Sequence, residues 1–440
     1  MHIYSFGPYD TRSYEQLDNC LNAAFAKGDS PIGVLCADHH PGYSMPIGGV
    51  LATKHLIAPA AVGFDIACGN MAVSTDIDVK DIDIAKVMNE IGKVISFGIG
   101  RNNSEKINDH PIFDAIANSP VKPQRKLLQL AKQQLGTVGS GNHYVDLFRD
   151  IHNKLWIGVH FGSRGFGHKT CTGFLAIAEG KQFDDHVSEG PMDSAPKFLS
   201  VNKDSGLDYF SAMQLAGDYA YAGREWVVNR VLAILGTQAI VRVHNHHNFA
   251  WYEKHNGEHY IVTRKGATPA QPNQLGFIGG SMLDIAVIVE GKQSQQAVDG
   301  LYSTVHGAGR VMSRTQAAGK VKRKTVWKCG QRDCSGYLPI NTPKGYDGSN
   351  PKCNVCGSKT HKDQLIERKS AGLVDWPNWQ KKLVEHNVVL IGAGPDEAPE
   401  CYKPLGKVLS QHSESINILH TLFPIGVAMA GNDIYDPYKD

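Results

Sequence analysis

The chain has 440 residues, is 42% hydrophobic and carries a formal net charge of +2. This length is enough for a large core in one or two domains. The near-neutral charge excludes a global basic field, so any nucleic-acid contact must come from local patches. No apolar run is long enough to span a membrane, and the N-terminus has no signal-peptide pattern. Four of the nine cysteines cluster and five are scattered, which is typical of a reducing cytoplasm.

The first predicted elements are a helix over residues 13–27, with Ser13 as its N-cap, and a buried strand at 31–38. A polar loop at 38–49 follows the strand. The residues of this loop that could take part in chemistry are Asp38, His39 and His40. They form either a simple turn or a support for ligands held elsewhere.

Residues 62–70, VGFDIACGN, bring a carboxylate and a thiol within three positions of each other, at Asp65 and Cys68. The neighbouring glycines allow tight turns that a side chain would obstruct. A hard oxygen ligand beside a soft sulfur ligand suits a divalent transition metal, provided that histidines arrive from elsewhere in the chain. Without those histidines, a buried free cysteine in a turn is the simpler interpretation.

Three later segments each carry a histidine on a strand beside a polar or glycine-rich loop. They are His143 in GTVGSGNHYVDLF, His160 in LWIGVHFGSRGFGHK and His247 in AIVRVHNHHNFAWYE. If the last segment is one strand, alternation puts His244 and His246 on one face and His247 on the other. If the three segments converge on Asp65 and Cys68, one thiolate can bridge two metals. Two close divalent ions are a common device for phosphoryl chemistry.

Further helices are predicted at 82–95, 122–135 and 206–235. The glycine spacing of the loops matches neither the P-loop nor the dinucleotide-binding fingerprint. The residues that could neutralise phosphate charge are Arg164, Arg264, Lys265 and Arg310. His306, in HGAGR, could carry a phosphoryl or nucleotidyl group as a phosphoramidate, but the pattern fits a metal ligand or a core histidine equally well.

Two cysteine pairs flank a short loop in the last third of the chain. They are Cys329 with Cys334 and Cys353 with Cys356. This spacing predicts a tetrahedral structural zinc site, and zinc would supply folding energy that so small a ribbon lacks. The run KVKRKTVWK and Arg332 are basic, which indicates either a contact with a phosphate backbone or a solvated face.

Several segments follow one another in the order of a known family. They are DHHPGYSMPIGGVLAT, PAAVGFDIACGN, GSGNHYVDL, VHFGSRGFGH, HHNFA, TRKGAT, GGSM, HGAGRVMSR and PDEAPECYK. On these segments the chain resembles the RtcB-type RNA ligases. The resemblance implies an α+β fold: a complex single catalytic domain with mixed β-sheets around a metal cleft, plus a small inserted zinc ribbon. The predicted boundaries are 1–314 and 371–431 for the catalytic domain, 320–364 for the ribbon and 432–440 for a flexible tail.

The resemblance also implies a reaction. The family joins an RNA 3′-phosphate or 2′,3′-cyclic phosphate to a 5′-hydroxyl, with GTP and manganese, in RNA repair or tRNA splicing. RNA ends, GTP and an archease-like activator are the implied partners, in the cytoplasm and away from membranes.

Residue roles follow from the same resemblance. The implied ligands of two Mn²⁺ ions, with Cys68 as the bridge, are Asp65, Cys68, His143, His160 and His247. His306 is implied as the nucleophile that becomes guanylylated. The implied nucleotide and phosphate contacts are Asn142, Asp146, Ser281, Gly307, Ala308, Gly309, Arg310 and Tyr402. The implied contacts to substrate phosphate are Arg164, Arg264 and Lys265.

Three features depart from the family pattern. Ala430 stands where a lysine precedes the terminal glycine, Asp146 stands where the acid is glutamate, and LDIAVIV replaces a polar run after GGSM. They affect the nucleotide pocket more than the metal ligands. One alternative function is therefore a metal-dependent phosphoesterase or RNA end-processing enzyme that no longer ligates. Another is a non-catalytic nucleic-acid-binding protein, which would have no need of five ligand-type residues.

Overall fold

The computed structural model describes residues 2–187, 190–331 and 334–432. Helices and strands are mixed along the chain and most strand pairs are antiparallel, which confirms the predicted α+β class. Arg332 of the predicted basic run and residues 433–440 of the predicted tail lie outside the described residues. Within the described ranges, no helix is both long and apolar enough to cross a membrane.

The four segments predicted to be helical are helical in the structure, with two differences, and the described chain contains further helices. The described helices are α1 Thr11–Phe25, α2 Pro59–Val62, α3 Ile84–Val94, α4 Pro111–Ala117, α5 Lys122–Arg125, α6 Leu128–Gln134, α7 Arg164–Ala178, α8 Asp204–Leu235, α9 Gln295–Asp299, α10 Arg314–Ala318, α11 Trp376–Glu385 and α12 Leu405–Ser410. Asp10, and not Ser13, is the N-cap of α1, because its carboxylate accepts the Ser13 backbone N–H at 3.0 Å. The predicted helix at 122–135 is two helices, because the backbone at Leu127 has ψ 0° and interrupts it.

The largest sheet lies beneath the candidate site. Its strands, in spatial order, are β11 Arg242–His246, β5 Gly69–Asp78, β9 Lys154–Phe161, β8 Tyr144–Arg149, β22 Ile416–Gly431, β16 Ala286–Gly291 and β15 Leu275–Ile278, and β21 Val389–Ala393 pairs in parallel with β22. The long helix α8 packs on β9 and β5. Buried side chains of β5, β8, β9 and α8 form one apolar cluster between the helix and the sheet.

A second sheet has five strands and supplies the opposite wall. In spatial order they are β1 Ile3–Ser5, β2 Ile32–His40, β3 Ile47–Thr53, β13 Glu258–Lys265 and β12 Asn248–His255. β2 continues through His40, which pairs with Ile47 of β3. Asp38 therefore lies in a strand. The predicted polar loop at 38–49 is wrong at both ends, because backbone pairing extends β2 through His40 and begins β3 at Ile47.

The predicted single strand over 239–253 is two strands that belong to different sheets. β11 pairs with β5 in the large sheet and β12 pairs with β13 in the five-stranded sheet. His247 is the residue between them, and its backbone N–H donates to the carbonyl of Cys68 at 2.8 Å. The chain therefore changes sheets at the point where a candidate ligand was predicted.

Four smaller sheets complete the described strands. They are β4 Leu56–Ile57 with β10 Leu199–Ser200, β6 Ser96–Phe97 with β7 Thr137–Gly139, β14 Ala267–Pro269 with β17 Ser303–Val305, and β18 Val321–Cys329 between β19 Tyr337–Pro339 and β20 Thr360–Arg368. The last, three-stranded sheet is inserted between α10 and α11 and carries the four clustered cysteines.

Candidate active site

The segment that holds Asp65 and Cys68 is a tight turn fixed to the core. Ile66 is fully buried in an apolar cluster with Phe166, and the Cys68 N–H donates to the Asp65 carbonyl at 3.0 Å. A Cβ atom at Gly162 would lie 2.4 Å from Oδ1 of Asp65. Only glycine therefore lets the loop after β9 approach this carboxylate so closely.

Five candidate ligands from four segments meet at this turn and form two groups that share Cys68. One group is Asp65, Cys68 and His143, and the other is Cys68, His160 and His247; within each group the ligand atoms lie within 4.8 Å of one another. Sγ of Cys68 lies 3.6 Å from Nε2 of His143 and 3.7 Å from Nε2 of His160. Two groups joined through one sulfur suit a pair of close divalent ions.

Hydrogen bonds behind the rings aim lone pairs at the centre of this cluster. Nδ1 of His143 is 2.9 Å from a main-chain carbonyl oxygen, which can only accept. Nδ1 of His160 is 2.6 Å from Oδ1 of Asn70, whose amide is oriented by its own hydrogen bond to a carbonyl. In the tautomer in which each Nδ1 donates, both Nε2 atoms face Cys68 as acceptors. Nε2 of His160 also lies 3.3 Å from the Asn142 amide nitrogen, and the buried Oδ2 of Asp65 lies 3.2 Å from Nε2 of His143. Acceptor atoms that converge in this way fit a bound cation.

Burial sets the charge states of these groups. It lowers the pKa of His160 and of His247 well below the ordinary value, so both rings are neutral and able to ligate. Burial raises the pKa of the Cys68 thiol, an effect that a bound cation would offset. Burial also acts to raise the pKa of Asp65, but its partners, chiefly His143, lower it to about 2, so the carboxylate is ionised.

The histidines at the junction of β11 and β12 divide between two environments, because His244 and His246 lie on one face of β11 and His247 lies at the change of sheet. His247 joins the second ligand group, whereas His244 and His246 contact the buried Arg224 of α8. Nε of Arg224 lies 2.8 Å from Nε2 of His244, and Nη2 lies 2.9 Å from Nδ1 of His246. Arg224 also donates to the carbonyl of Ala67 at 3.0 Å. The helix is thereby tied to the residue that precedes Cys68, a connection that the sequence did not indicate.

His306 lies next to the metal-type cluster, with its ring centroid 4.9 Å from that of His247. Oδ2 of Asp38 accepts hydrogen bonds from Nδ1 of His306 at 2.6 Å and from its backbone N–H at 2.9 Å. Burial acts to raise the pKa of Asp38, but the His306 charge and hydrogen bonds lower it overall. Because Nδ1 is engaged, Nε2 of His306 is the nitrogen left for chemistry. Asp38 thus has the supporting position that one sequence interpretation gave it.

A cleft of about 320 Å³ extends from the cluster along the His306 loop. Isolated bridges join Gly279 to Gly307 and Arg310 to Tyr402, which hold its loops together. All predicted nucleotide contacts line the cleft: Asn142, Asp146, Ser281, Gly307, Ala308, Gly309, Arg310 and Tyr402. The structure therefore brings this predicted set together beside His306.

A charged network fixes the far end of the cleft. The Tyr402 hydroxyl donates to Glu397 and accepts from Nη1 of Arg310 at 2.9 Å. Arg314 pairs with Asp396 at 3.0 Å and also with Glu397. Sequence reasoning missed Arg314 and Glu397, because an acidic turn and a distant arginine carry no local signal of their pairing.

Asp146 faces the cleft as a buried carboxyl group with an unsatisfied oxygen. Its Oδ1 has no hydrogen-bond partner among the described residues. Burial raises its pKa well above the ordinary value, against a hydrogen bond from the backbone of Ala428. Such a group suits a ligand that supplies a hydrogen bond. Val427 and Met429 line the cleft nearby, so strand alternation turns Ala430 to the other face of β22.

The three predicted substrate-phosphate contacts are not among the residues that line the cleft. Arg164 has φ 53° and places Nη1 3.1 Å from the ring of His143, so it lies behind the ligand groups. Nζ of Lys265 donates to main-chain carbonyls. Arg264 is fully buried and forms two hydrogen bonds with Glu253, at 2.5 and 3.0 Å. The phosphate contact predicted for Arg264 is therefore wrong, because a buried carboxylate already neutralises it.

The four clustered cysteines meet at one end of the three-stranded sheet. They are Cys329, Cys334, Cys353 and Cys356, with all sulfurs within 4.8 Å of one another. Two of the Sγ–Sγ distances are 3.4 and 3.7 Å, close to the ~3.8 Å expected for a tetrahedral zinc with bonds of about 2.3 Å. The backbone N–H groups of Gln331 and Val355 each donate to a cysteine sulfur at 3.4 Å, which favours thiolates.

The α+β fold and this cleft, with its sulfur-sharing ligand groups beside a carboxylate-held histidine, are typical of an enzyme that transfers phosphoryl or nucleotidyl groups. The family described as tRNA-splicing ligase RtcB matches residues 21–122 and 114–335. The chain therefore belongs to the RtcB family of RNA ligases.

Similar proteins are found in bacteria and archaea. The RNA-splicing ligase RtcB of Escherichia coli K12 is 33% identical over 313 residues, which cover 64% of this chain and 74% of that protein. The tRNA-splicing ligase RtcB of Archaeoglobus fulgidus is 27% identical, over 71% of this chain and 79% of its own. The tRNA-splicing ligase RtcB of Methanococcus maripaludis is 25% identical, over 83% of this chain and 92% of its own.

Proposed function

We propose that the chain joins an RNA 3′-phosphate or 2′,3′-cyclic phosphate to a 5′-hydroxyl, with GTP and Mn²⁺, through a guanylyl-histidine intermediate, in RNA repair or tRNA splicing. Membership of a ligase family supports the joining of RNA ends. The finer chemistry depends on the position of His306, which Asp38 holds at Nδ1 beside the two ligand groups that share Cys68.

Two Mn²⁺ ions would be held by the two groups, one by Asp65, Cys68 and His143 and the other by Cys68, His160 and His247. When bound, they would offset negative charge on phosphate oxygens and activate the water that opens a cyclic phosphate. The neutral imidazoles, the ionised carboxylate and the thiol form a donor set suited to Mn²⁺ or a similar divalent metal.

The residues of the chain supply the nucleophile and its orientation. Nε2 of His306 attacks the α-phosphorus of GTP, the N–P bond forms and pyrophosphate leaves. Asp38 retains the hydrogen bond from Nδ1 and stabilises the positive charge that develops on the ring. GMP then moves from His306 to the RNA 3′-phosphate as the N–P bond breaks. The 5′-hydroxyl attacks that activated phosphorus, a phosphodiester forms and GMP leaves.

The walls of the cleft suit the nucleotide. The unpartnered Oδ1 of Asp146 would meet a guanine N–H, and Tyr402 would stack near the base. Arg310 and the backbone of the loop formed by Gly307, Ala308 and Gly309 would contact phosphate, with Asn142 and Ser281 completing the pocket. Arg164 and Lys265 remain candidates for indirect phosphate contacts.

Further parts of the proposal concern organisation. Residues 1–314 and 371–431 would form the catalytic domain, and 320–364 would form a ribbon that holds one structural Zn²⁺ on its four cysteines. An archease-like protein would activate the enzyme. The nine cysteines are free thiols in the described structure, and the proposed metal-binding thiolates need a reducing compartment such as the cytoplasm.

The test is covalent labelling. Purified protein would be incubated with Mn²⁺ and GTP labelled on the α-phosphate, and adducts detected by intact mass. We expect a GMP adduct that His306→Ala abolishes and that His259→Ala, a change at an exposed histidine, leaves intact. Labelled ATP should give much less adduct. An adduct that survives in His306→Ala would disprove the assignment of the nucleophile.

A second candidate function is a metal-dependent phosphoesterase that no longer ligates. Its basis is the sequence: Ala430 stands where the family pattern has a lysine, so this chain lacks that cation near the end of β22. RNA bearing a cyclic phosphate and RNA bearing a 5′-hydroxyl distinguish the two functions. A joined product supports ligation, whereas a 3′-phosphate or 3′-hydroxyl product without joining, and without a GMP adduct, supports the esterase.

A further inference from the structure

The inserted segment has a strong net positive charge, and the rest of the chain has a net negative charge. Residues 320–369 contain 12 of the 45 lysines and arginines but only 4 of the 43 aspartates and glutamates, a net charge of +8. The rest of the chain has 33 basic and 39 acidic residues, a net charge of −6. The overall value of +2 therefore hides a basic module on an acidic body, and charge of this kind attracts polyanions.

Strand pairing concentrates part of this charge on one face of the module. Lys322, Lys324 and Lys328 occupy alternate positions of β18, so their side chains share a face, and all three are exposed. Across the pairing, Lys328 lies opposite Tyr337 on β19 and opposite His361 on β20. Tyr337 is 49% exposed. We call these five residues the ribbon face.

The opposite face of β18 carries the buried Trp327. Trp327 is only 3% exposed, and its indole N–H donates to the carbonyl of Ile340 at 3.2 Å. The Lys362 ammonium lies 5.6 Å from the centre of the Trp327 ring. Trp327 thus packs on this side, and on the ribbon face the buried side chain is Val326, between Lys324 and Lys328. The three lysines themselves are exposed, so their replacement leaves both buried side chains in place.

The ion pairs on the ribbon face are of a kind that a ligand can displace. Lys324 pairs with Glu367 and Lys328 with Asp363, both at 2.7 Å, and both lysines are about half exposed. Surface pairs of this type contribute about 0–1 kcal/mol each. A row of phosphates could therefore replace these carboxylates as partners.

The base of the module is fixed to the wall of the cleft. Lys320 follows Arg314, which lines the cleft, by six residues. The backbone of Lys320 accepts the N–H of Lys369 at 2.7 Å, and the N–H of Leu373 donates to the carbonyl of Gln316. The basic module therefore begins at the wall of the cleft in which the RNA end would react.

From these observations we infer that the ribbon face binds the sugar-phosphate backbone of single-stranded RNA away from the reacting end, with a base stacked on Tyr337. Exposed lysines beside an exposed aromatic ring favour RNA over an acidic protein, because stacking uses the ring face of a base. The inference rests on the proposed function for the identity of the RNA end, but the binding itself needs no catalysis.

The test compares two uridine RNAs, of about 20 and about 6 nucleotides, by fluorescence anisotropy with the full-length protein and no GTP. The test variant is Lys322→Gln/Lys324→Gln/Lys328→Gln. The matched control is Lys80→Gln/Lys93→Gln/Lys126→Gln, which removes three exposed lysines that also pair with carboxylates. Tyr337→Ala is the second test variant and leaves the charge unchanged.

We expect the ribbon-face variant to bind the long RNA at least about 10-fold more weakly than the control does, with the salt dependence reduced by about 2 in log–log slope. Tyr337→Ala should weaken the binding of the long RNA about 10-fold. The short RNA and the GMP adduct should change little. Equal binding of the long RNA by ribbon-face and control variants would overturn the inference. The inference would also be overturned if only the lysine variant lost affinity for the long RNA and if poly-glutamate displaced that RNA as well as unlabelled RNA does. That result would favour an acidic protein partner.

Failure of the proposed function gives a different result. A wild-type protein that forms no GMP adduct, but loses long-RNA binding in the ribbon-face variant, would disprove guanylylation and support the inference. A wild-type protein that forms the adduct, with all variants binding long RNA equally, would support guanylylation and disprove the inference.

Discussion

Nδ1 of His306 and Oδ2 of Asp38 lie 2.6 Å apart, and the same oxygen accepts the His306 backbone N–H. One carboxylate therefore fixes both the ring and the backbone of the proposed nucleophile. The two residues are 268 positions apart in the chain. Their contact joins β2 to the loop after β17, on the side of the cleft nearest the ligand groups.

Replacing this carboxylate should slow guanylylation without unfolding the protein. In Asp38→Asn an amide can donate to Nδ1 and select the wrong tautomer, so we expect adduct formation to fall by about 100-fold or more. Rapid-quench labelling with GTP over a range of pH measures the rate and the shape of its pH profile. Asp208→Asn, an exposed change on α8, is the control. A wild-type rate and profile in Asp38→Asn would contradict a role for this contact.

The sharing of Cys68 predicts an asymmetric pattern of metal loss. Cys68→Ala should remove both Mn²⁺ ions, whereas His143→Ala should remove only the one held with Asp65, leaving about one of two. Manganese content after gel filtration, by elemental analysis, gives the count. Cys20→Ala, which alters a buried thiol in a separate apolar cluster, is the matched control. Two ions retained in Cys68→Ala would show that the sulfur does not bridge.

Arg224 should stabilise both the fold and the turn that holds Asp65 and Cys68. Arg224→Met leaves the carbonyls of Ala67 and Phe161 without their donor, so we expect the free energy of unfolding to fall by about 3 kcal/mol. Arg224→Lys should recover little, because a lysine lacks the planar fork. Urea unfolding measures both variants. Wild-type stability in Arg224→Met would mean that these hydrogen bonds contribute no net stability.

Stability should also depend on Glu253 at acid pH. Burial acts to raise the pKa of Glu253, but Arg264 and His255 lower it from 4.5 to about 2. A carboxyl whose pKa is lower in the folded chain stabilises the fold above its unfolded value, and that contribution is lost as pH falls from 4.5 towards 2. We expect a loss on the order of 3 kcal/mol across this window.

Glu253→Gln tests this directly, because it removes the titration and leaves Arg264 buried without its charge partner. Urea unfolding at several pH values should show lower stability than wild type at neutral pH and a shallower decline on acidification. Glu15→Gln, an exposed glutamate on α1, should keep the wild-type slope. A slope unchanged by Glu253→Gln would place the acid sensitivity elsewhere.

Local sequence patterns predicted the candidate metal ligands better than they predicted the residues that support those ligands through hydrogen bonds. His143 and His160 were found because histidines at strand ends beside sharp turns are visible in the sequence. His247 was chosen over His246 by its place just before Asn248 in the family pattern. Resemblance to the family supplied the nucleotide contacts. Neither source revealed that Arg224 lies behind Cys68, because a polar residue within an apolar helical stripe has no local sign of its partner.

The errors have the same physical origin. Arg264 in TRKGAT has the appearance of a phosphate contact, but tertiary folding buries it against Glu253. Ser13 was predicted as the N-cap of α1, but the helix begins earlier and Asp10 caps it, because helix ends are set by contacts in the folded chain. The break at His247 depends on pairing with β5 and β13, which lie far away in the chain.

β22 is the last described strand in chain order but lies inside the large sheet, between β8 and β16, and its residues Val427 and Met429 line the cleft. While the ribosome is still making the chain, β8 and β16 each lack this neighbour and the cleft lacks part of its wall. A nascent chain therefore contains all five candidate ligand residues before it contains the strand that completes the wall of the cleft. The wall of the cleft is therefore complete only when β22 has been made and has joined β8 and β16.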